Sequence, residues 1–500
     1  MENPKLRNLR DGWLPEATID EMQEKLASGE LTSRELVLMY MSRIALYDKS
    51  GPRINSVLEL NPDALHIAIA LDAERAERGP RGPLHGIPVL LKDNIDTHDK
   101  MHTSAGSLAL EHSIAPRDSF VAAQLRKAGA VILGKSNMTE WANFMAVGMP
   151  SGYSSRGGQV LNPYGPGKFN VGGSSAGSGA AIAANLAAVA VGTETSGSIL
   201  NPSAQNALVG IKPTVGLISR SGIIPISHTQ DTAGPMSRSV KDAAYLLAAL
   251  AGKDEKDPAT LASPKLQHTD FAGSLEHDRL NGIKLGVPGD FVFYEELTDE
   301  KRSLFEQALA KVTELGAQLE EVSLPSADAD WDYDVLDYEF KSGINAYLSG
   351  LHPSVKVRSL AQVIAFNKHH MEKMLKYGQK ILQGSEETSG ALTEEQYLKA
   401  LEHDQFMSKD QGIDYALSQG GAAALIFPHD HGSDIAARAG YPSITVPAGY
   451  TADGEPFAIT FTGHAYSEPQ LIQLAYAFEQ ATKVRRPPVL EVAASKGEEA

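Results

Sequence analysis

Two glycine-rich turns in this chain carry serines, Gly172-Gly173-Ser174-Ser175-Ala176-Gly177 and Thr193-Glu194-Thr195-Ser196-Gly197-Ser198-Ile199. Glycines beside a serine let the backbone take φ > 0 and come close to a substrate, which suits a hydroxyl nucleophile. Such a hydroxyl is weak at neutral pH and needs a proton acceptor within about 2.6 to 3.2 Å. The same composition also fits two Gly/Ser loops of a large α/β protein, so the turns alone fix no reaction. Lys92 closes the apolar run Ile87-Pro88-Val89-Leu90-Leu91, which patterns as a buried strand. Two readings are open for it. It snorkels or pairs with Asp93 or Asp96, or burial draws its pKa below the reference of about 10.4 and makes it a base.

Three shorter patterns compete. Gly173 to Gly177 fits the G-x-S-x-G elbow around Ser175, which would recruit His228 with Asp231, or His464. Gly129-Ala-Val-Ile-Leu-Gly134-Lys135-Ser136 matches a phosphate-loop pattern letter for letter. Its apolar, β-branched interior is a strand, though, where a phosphate loop needs turn residues. His429-Asp430-His431 suggests a metal, but two histidines at i, i+2 in a Gly-rich segment lack the helical i, i+4 geometry, and a solvated loop is expected.

Taken together, the motifs resemble the amidase signature family. That family carries a GGSS[AG]G-type turn, a small-residue helix, a T-[DE]-x-G-S-I turn and G-[LI]-K-P-T, with a lysine on an upstream strand. This chain has them in order, including Gly210-Ile211-Lys212-Pro213-Thr214, and its Ser174 and Ser198 stand 24 residues apart, as in the family. Most members read G-G-S-I-R, whereas Ser196 and Leu200 stand here for the first Gly and the Arg. Substitution at these positions is a feature of the peptide amidase branch, which the chain also resembles in WANF, RGGQ and QDTAGPM over nearly its whole length.

The resemblance implies Ser198 as nucleophile, Ser174 as a bridging serine on a cis Gly173–Ser174 peptide, and Lys92 as base. It also implies an oxyanion hole of the Thr195, Ser196, Gly197 and Ser198 backbone N–H groups. Tyr153 and Arg156, in the turn-rich stretch 141–169, are expected beside the substrate, as is Ser175. The implied reaction is hydrolysis of a C-terminal peptide amide or a similar unhindered small or aryl amide. A carbamate or ester hydrolase on the same triad is the alternative, and a non-catalytic or amidotransferase-type subunit is one of another class. No cofactor and no metal are expected.

These residues need rigid elements behind them. The run 180–191 reads as a buried helix passing into a strand that holds the two serine turns apart. Asn201-Pro202 reads as a cap and first residue of the next helix, with its positive end beside a developing oxyanion. Thr18-Ile-Asp-Glu21 and Thr32-Ser-Arg-Glu35 are capping boxes opening two N-terminal helices, the second ending near Gly51. Strand 56–60 leads to Asn61-Pro62, a helix cap. A helix over 118–128 and a strand over 130–133 follow. Further on come a helix over 240–251, a polar surface stretch over 252–278, strands at 283–287 and 317–322 flanking a helix over 299–315, and a mostly helical region over 333–419. Its aromatics Tyr338, Phe340, Tyr347, Phe366 and Tyr377 read as core. Strands over 422–427, 443–446 and 457–461 and a helix over 469–482 close the chain. Alternating strands and helices argue an α/β fold. The resemblance implies one compact amidase domain over 1–500, a large mixed sheet covered by helices on both faces, with its signature core at about 80–250 and a pocket-forming helical region at about 330–420.

The 500 residues have an ordinary globular composition, 42% hydrophobic and 21% charged. A net charge of −17 argues against nucleic acid or an anionic membrane as partner and favours a small-molecule amide substrate. With no cysteine, the chain has no disulfide, thiolate nucleophile or thiolate metal site. The first residues lack an apolar signal segment, which makes the cytoplasm the expected compartment. A monomer or homodimer is expected.

Overall fold

The computed structural model describes residues 2–262, 269–273, 275–276 and 280–491. The polar stretch 252–278 therefore lies partly, and the charged tail 492–500 wholly, outside the described residues. Eleven strands pair into one mixed sheet. They are β1 (Val57–Leu60), β2 (Pro88–Lys92), β3 (Val131–Ser136), β4 (Val189–Glu194), β5 (Val209–Lys212) and β6 (Thr232–Ser237), then β7 (Lys284–Pro288), β8 (Gln318–Val322), β9 (Ala424–Pro428), β10 (Ser443–Tyr450) and β11 (Pro456–Thr462). Their spatial order is β1-β3-β2-β4-β6-β5-β10-β11-β9-β7-β8.

Two parallel segments sit within this otherwise antiparallel sheet. β2 lies between β3 and β4, parallel to both, and β7 runs parallel to β9 and β8. Every residue of β2, β3 and β4 is buried, the pattern of strands covered on both faces. Lys135 of the phosphate-loop pattern is thus inside the core, donating to Thr103 Oγ1 at 3.0 Å, and no loop is left to hold a phosphate.

The capping boxes form as the residue spacing predicts, opening the helices Ile19–Ser28 and Ser33–Arg43. The second runs on through a π-helical turn to Asp48, short of Gly51. A further helix, Pro4–Gly12, precedes them with Asn3 as its cap. Asn61 does not open a helix. Its Oδ1 accepts the Asp63 amide and its Nδ2 donates to the Ile132 carbonyl, so it ties the end of β1 to β3, and the helix begins at Ala64.

Behind the serine turns, the helix Ala176–Ala183 is buried along its entire length. Its Ala, Gly and Ser side chains let it pack closely against the sheet before the chain re-enters as β4. The helical region comprises Asp334–Ser349, Leu360–His369, Lys380–Glu387, Glu395–Ser408 and Asp414–Gly420 among shorter turns. Phe340 anchors it in a second hydrophobic cluster, 5.0 Å ring to ring from Phe144, and Tyr347, Phe366 and Tyr377 pack at its edge. Tyr338 stacks on Tyr397. No helix among the described residues is long and apolar enough to cross a membrane.

Candidate active site

Lys92 stands at the end of β2, where the parallel register Leu91↔Val191 brings it beside Thr193 of β4. Its Nζ donates to Ser174 Oγ at 2.8 Å, Thr193 Oγ1 at 2.9 Å and the Thr193 carbonyl at 3.1 Å. Asn94 Nδ2 donates to the same Thr193 hydroxyl at 2.9 Å. The lysine is wholly buried, and loss of hydration draws its pKa down to about 7, against the opposing charges of Glu194 and Asp231. At neutral pH a large share of it is uncharged and able to accept a proton.

The two serine turns are joined across their backbones. The Ser175 amide donates to the Ser198 carbonyl at 3.2 Å, and the Gly173 amide to Asn201 Oδ1 at 3.1 Å. The Gly173–Ser174 peptide is cis. Asn201 is therefore a tie between the turns, and the helix Leu200–Gln205 starts one residue before it without a side-chain cap. That duty falls to Glu194, whose Oε2 accepts the Ile199 and Leu200 amides at 2.7 and 3.0 Å, with the Gly197 amide also stabilising the carboxylate. Burial raises the pKa of Glu194. Among the described residues, the amides of Thr195, Ser196 and Ser198 donate to no backbone carbonyl, whereas the Gly197 amide, expected with them in the oxyanion hole, donates to Glu194. Gly197 has φ +73°, a conformation that glycine takes without strain and that turns the chain sharply just before Ser198.

Ser198 lines a cavity of about 590 Å³, whereas Ser174 is fully buried. Phe144, Ala146, Met149, Ile226, Leu336 and Ile381 give that cavity an apolar wall, and Asp337, Lys380, Asp434 and Arg438 are its charged members. Arg438 is already engaged, 3.4 Å from Asp404 and stacked 4.6 Å from the Trp331 ring centroid. Ser196, the departure from the usual glycine, donates its hydroxyl to Asp434.

The expected substrate contacts fall elsewhere. Ser175 Oγ donates to the Thr193 carbonyl at 3.1 Å and accepts from its amide, which makes it a fully buried strap on β4. Arg156 pairs with Glu59 at 2.9 Å and Asp93 at 3.4 Å, because two carboxylates in the core wall hold its charge more strongly than an open cavity would. Tyr153 packs against Tyr377, 5.0 Å between ring centroids. None of the three lines the cavity. Ser175's engagement also removes the G-x-S-x-G elbow, and the histidines it would recruit lie at half-exposed sites, His228 3.4 Å from Glu339 and His464 2.8 Å from Asp414. Asp93 and Asp96 do not pair with Lys92 either. Asp93 accepts from Ser104 and the Gly106 amide, and Asp96 accepts from Tyr347.

The 429–431 segment departs from the expected solvated loop. His429 is buried, its ring stacked 5.7 Å from that of Phe457 in β11, and burial lowers its pKa to about 3. No group of three or more metal-ligating side chains occurs among the described residues. The sequence reading gave no role around Lys92 to Thr193, Asn94, Glu194 or Asp231, the last of which it named only as a partner for His228. Of these, Glu194 stood in view as the acidic member of the second turn.

The profile of the family described as Amidase matches residues 35–472. A probable amidase of Arabidopsis thaliana is 42% identical over 481 residues, covering 95% of this chain and 92% of the relative. The solved structure of native peptide amidase from Stenotrophomonas maltophilia is similar with a TM-score of 0.89 at 44% identity, covering 95% of this chain and 99% of that one. That of an amidase family protein from Bacillus anthracis gives a TM-score of 0.92 at 40% identity, covering 97% and 94%.

Proposed function

Because the chain belongs to the amidase signature family of enzymes acting on carbon–nitrogen bonds, we propose that it hydrolyses unhindered carboxamides, C-terminal peptide amides foremost, through a serine–serine–lysine relay. The carrying observation is the 2.8 Å bond from the buried Lys92 amine, whose pKa is drawn down to about 7, to Ser174, together with Ser198 lining the cavity and the backbone bond from the Ser175 amide to the Ser198 carbonyl.

In this reading Ser198 Oγ attacks the amide carbon. Its proton passes to Ser174, whose own proton passes to Lys92. The carbonyl oxygen becomes an oxyanion held by the Thr195, Ser196 and Ser198 amides, where one such donor is worth about 2.7–4 kcal/mol in the transition state. The relay runs back to protonate the leaving nitrogen, the carbon–nitrogen bond breaks, and ammonia departs. Water then attacks the acyl-enzyme by the same proton path and releases the carboxylic acid. The preference for a peptide amide is supported by the likeness to the Stenotrophomonas peptide amidase and by an apolar cavity wide enough for an acyl side chain.

The test is leaving-group release from a panel of substrates, ammonia from peptide amides and carbamates, arylamine from anilides and alcohol from esters, with wild type and Ser198→Ala in parallel. The expected result is fastest turnover on C-terminal peptide amides and none by the variant. Faster turnover of carbamates or esters would transfer the assignment to those substrates, and no release by the purified chain from any amide would overturn the reading.

A further inference from the structure

Asp231 has no part in the relay, yet it stands half-buried next to the Thr195 end of the serine turn. It lies in the segment leading into β6, and its carboxylate is fully committed. Oδ1 accepts from Thr195 Oγ1 at 2.6 Å, and Oδ2 accepts the amides of Ile226 and Ser227 at 2.8 and 2.9 Å. Thr195 contributes one of the free amides of the oxyanion turn. With Thr193 and Asn94, Asp231 also lines a smaller cavity of about 290 Å³, on the side of the site where Lys92 Nζ meets the Thr193 hydroxyl.

Resting on the relay reading above, we propose that Asp231 is a positioning residue of the hydrolysis: it clamps the oxyanion turn through Thr195 and supplies the counter-charge for Lys92 when the amine takes up its proton. The clamp follows from the bond itself. A turn of five residues between a strand end and a helix start has one side-chain tether on its Thr195 face and another, Ser196 to Asp434, on its outer face. The counter-charge follows from burial. An ammonium that forms without water needs a carboxylate nearby. The charged groups acting on Lys92 are Glu194, from the strand beside it, and Asp231, which shares a cavity lining with Asn94 and the Thr193 to which Lys92 Nζ is bonded. Glu194 is already spent on the Ile199 and Leu200 amides and faces Lys212. The cation near Asp231 on its other side, Arg220, is neutralised by Asp257 at 2.6 Å.

Asp231→Asn isolates the charge. Its carbonyl oxygen still accepts the two amides, and its NH2 donates to the Thr195 hydroxyl, so shape and bonding persist. The experiment measures kcat and KM for one peptide amide across pH for wild type, Asp231→Asn, Thr195→Val and Thr195→Ser, with thermal unfolding as a check on folding. For Asp231→Asn the expected result is a kcat lower by about tenfold or more with KM nearly unchanged. The acidic limb of its kcat/KM profile moves down by about half a pH unit or more, because the lysine has lost a charge that favoured its ammonium form. Thr195→Val lowers kcat without moving the limb, and Thr195→Ser restores it. A wild-type limb near neutrality that stays put in Asp231→Asn overturns this inference alone. A wild type with no acidic limb overturns the lysine base and this inference together.

Discussion

Lys92 Nζ and Ser174 Oγ stand 2.8 Å apart with the lysine wholly buried. A charged ammonium in that position would face two hydroxyls and a carbonyl, and the carboxylates that act on it only partly offset its lost hydration. Burial favours the free amine, from which the proposed proton path would begin.

Removing that amine is expected to reduce kcat for a peptide amide by about 10²–10⁴-fold in Lys92→Ala, the usual contribution of a positioned base. Ser198→Ala is expected to abolish turnover, whereas His228→Ala and His464→Ala should stay near wild type, since both rings sit at half-exposed sites paired with carboxylates. Steady-state ammonia assays check all four.

The pH profile follows from the same group. In the proposed relay Lys92 must be unprotonated, and burial draws its pKa to about 7. kcat/KM should therefore rise through a limb centred near neutrality and level off on the alkaline side. A flat profile from pH 5 to pH 9, approximate bounds chosen to bracket that value, would contradict a lysine base.

Stability should change with pH in the same direction. Lys92 titrates near 7 when folded and near 10.5 when unfolded. Above both values neither state is charged, and the group costs nothing. As pH falls between them only the unfolded chain gains the proton, so the cost grows, and it is complete below the folded value. Relative to wild type, Lys92→Met should thus become progressively more stable as the pH is lowered from about 10.5 to about 7. Thermal melts of the pair across that range check it.

Much of this site was legible because its motifs are local. Ser174 and Ser198 sit in turns marked by glycine, and Lys92 interrupts an apolar run where a charge is conspicuous. What spacing cannot convey is lateral adjacency in the sheet. Thr193 meets Lys92 only because β2 and β4 lie side by side, although 101 positions separate the two residues. Asp231 arrives from a third segment. Arg156 was assigned from its place in a turn-rich loop, but Glu59 and Asp93, distant in sequence, claim its charge. Asn201-Pro202 has the letters of a cap, and Glu194 performs the function instead. His429 looked solvated from its glycine and charged neighbours, while the Phe457 ring that covers it belongs to another strand. The order of strands and helices was read with fewer errors, since burial patterns repeat along the chain and need no knowledge of partners.

Glu194 ties the nucleophile turn to the helix behind it through the Ile199 and Leu200 amides. Glu194→Ala leaves two buried donors unpaired and is expected to cost about 2–6 kcal/mol at roughly 1–3 per donor. It should also lower kcat, because the Ser198 turn loses its anchor. Denaturant unfolding alongside the ammonia assay measures both effects.

The most direct measurement is of the acyl-enzyme. A slowly deacylating aryl ester is mixed with the protein, the reaction is quenched, and the adduct is located by peptide mass spectrometry. The account predicts acylation on Ser198 alone, and its loss in Ser198→Ala. An adduct on Ser175, Ser196 or any other side chain, or one that persists in Ser198→Ala, would contradict it.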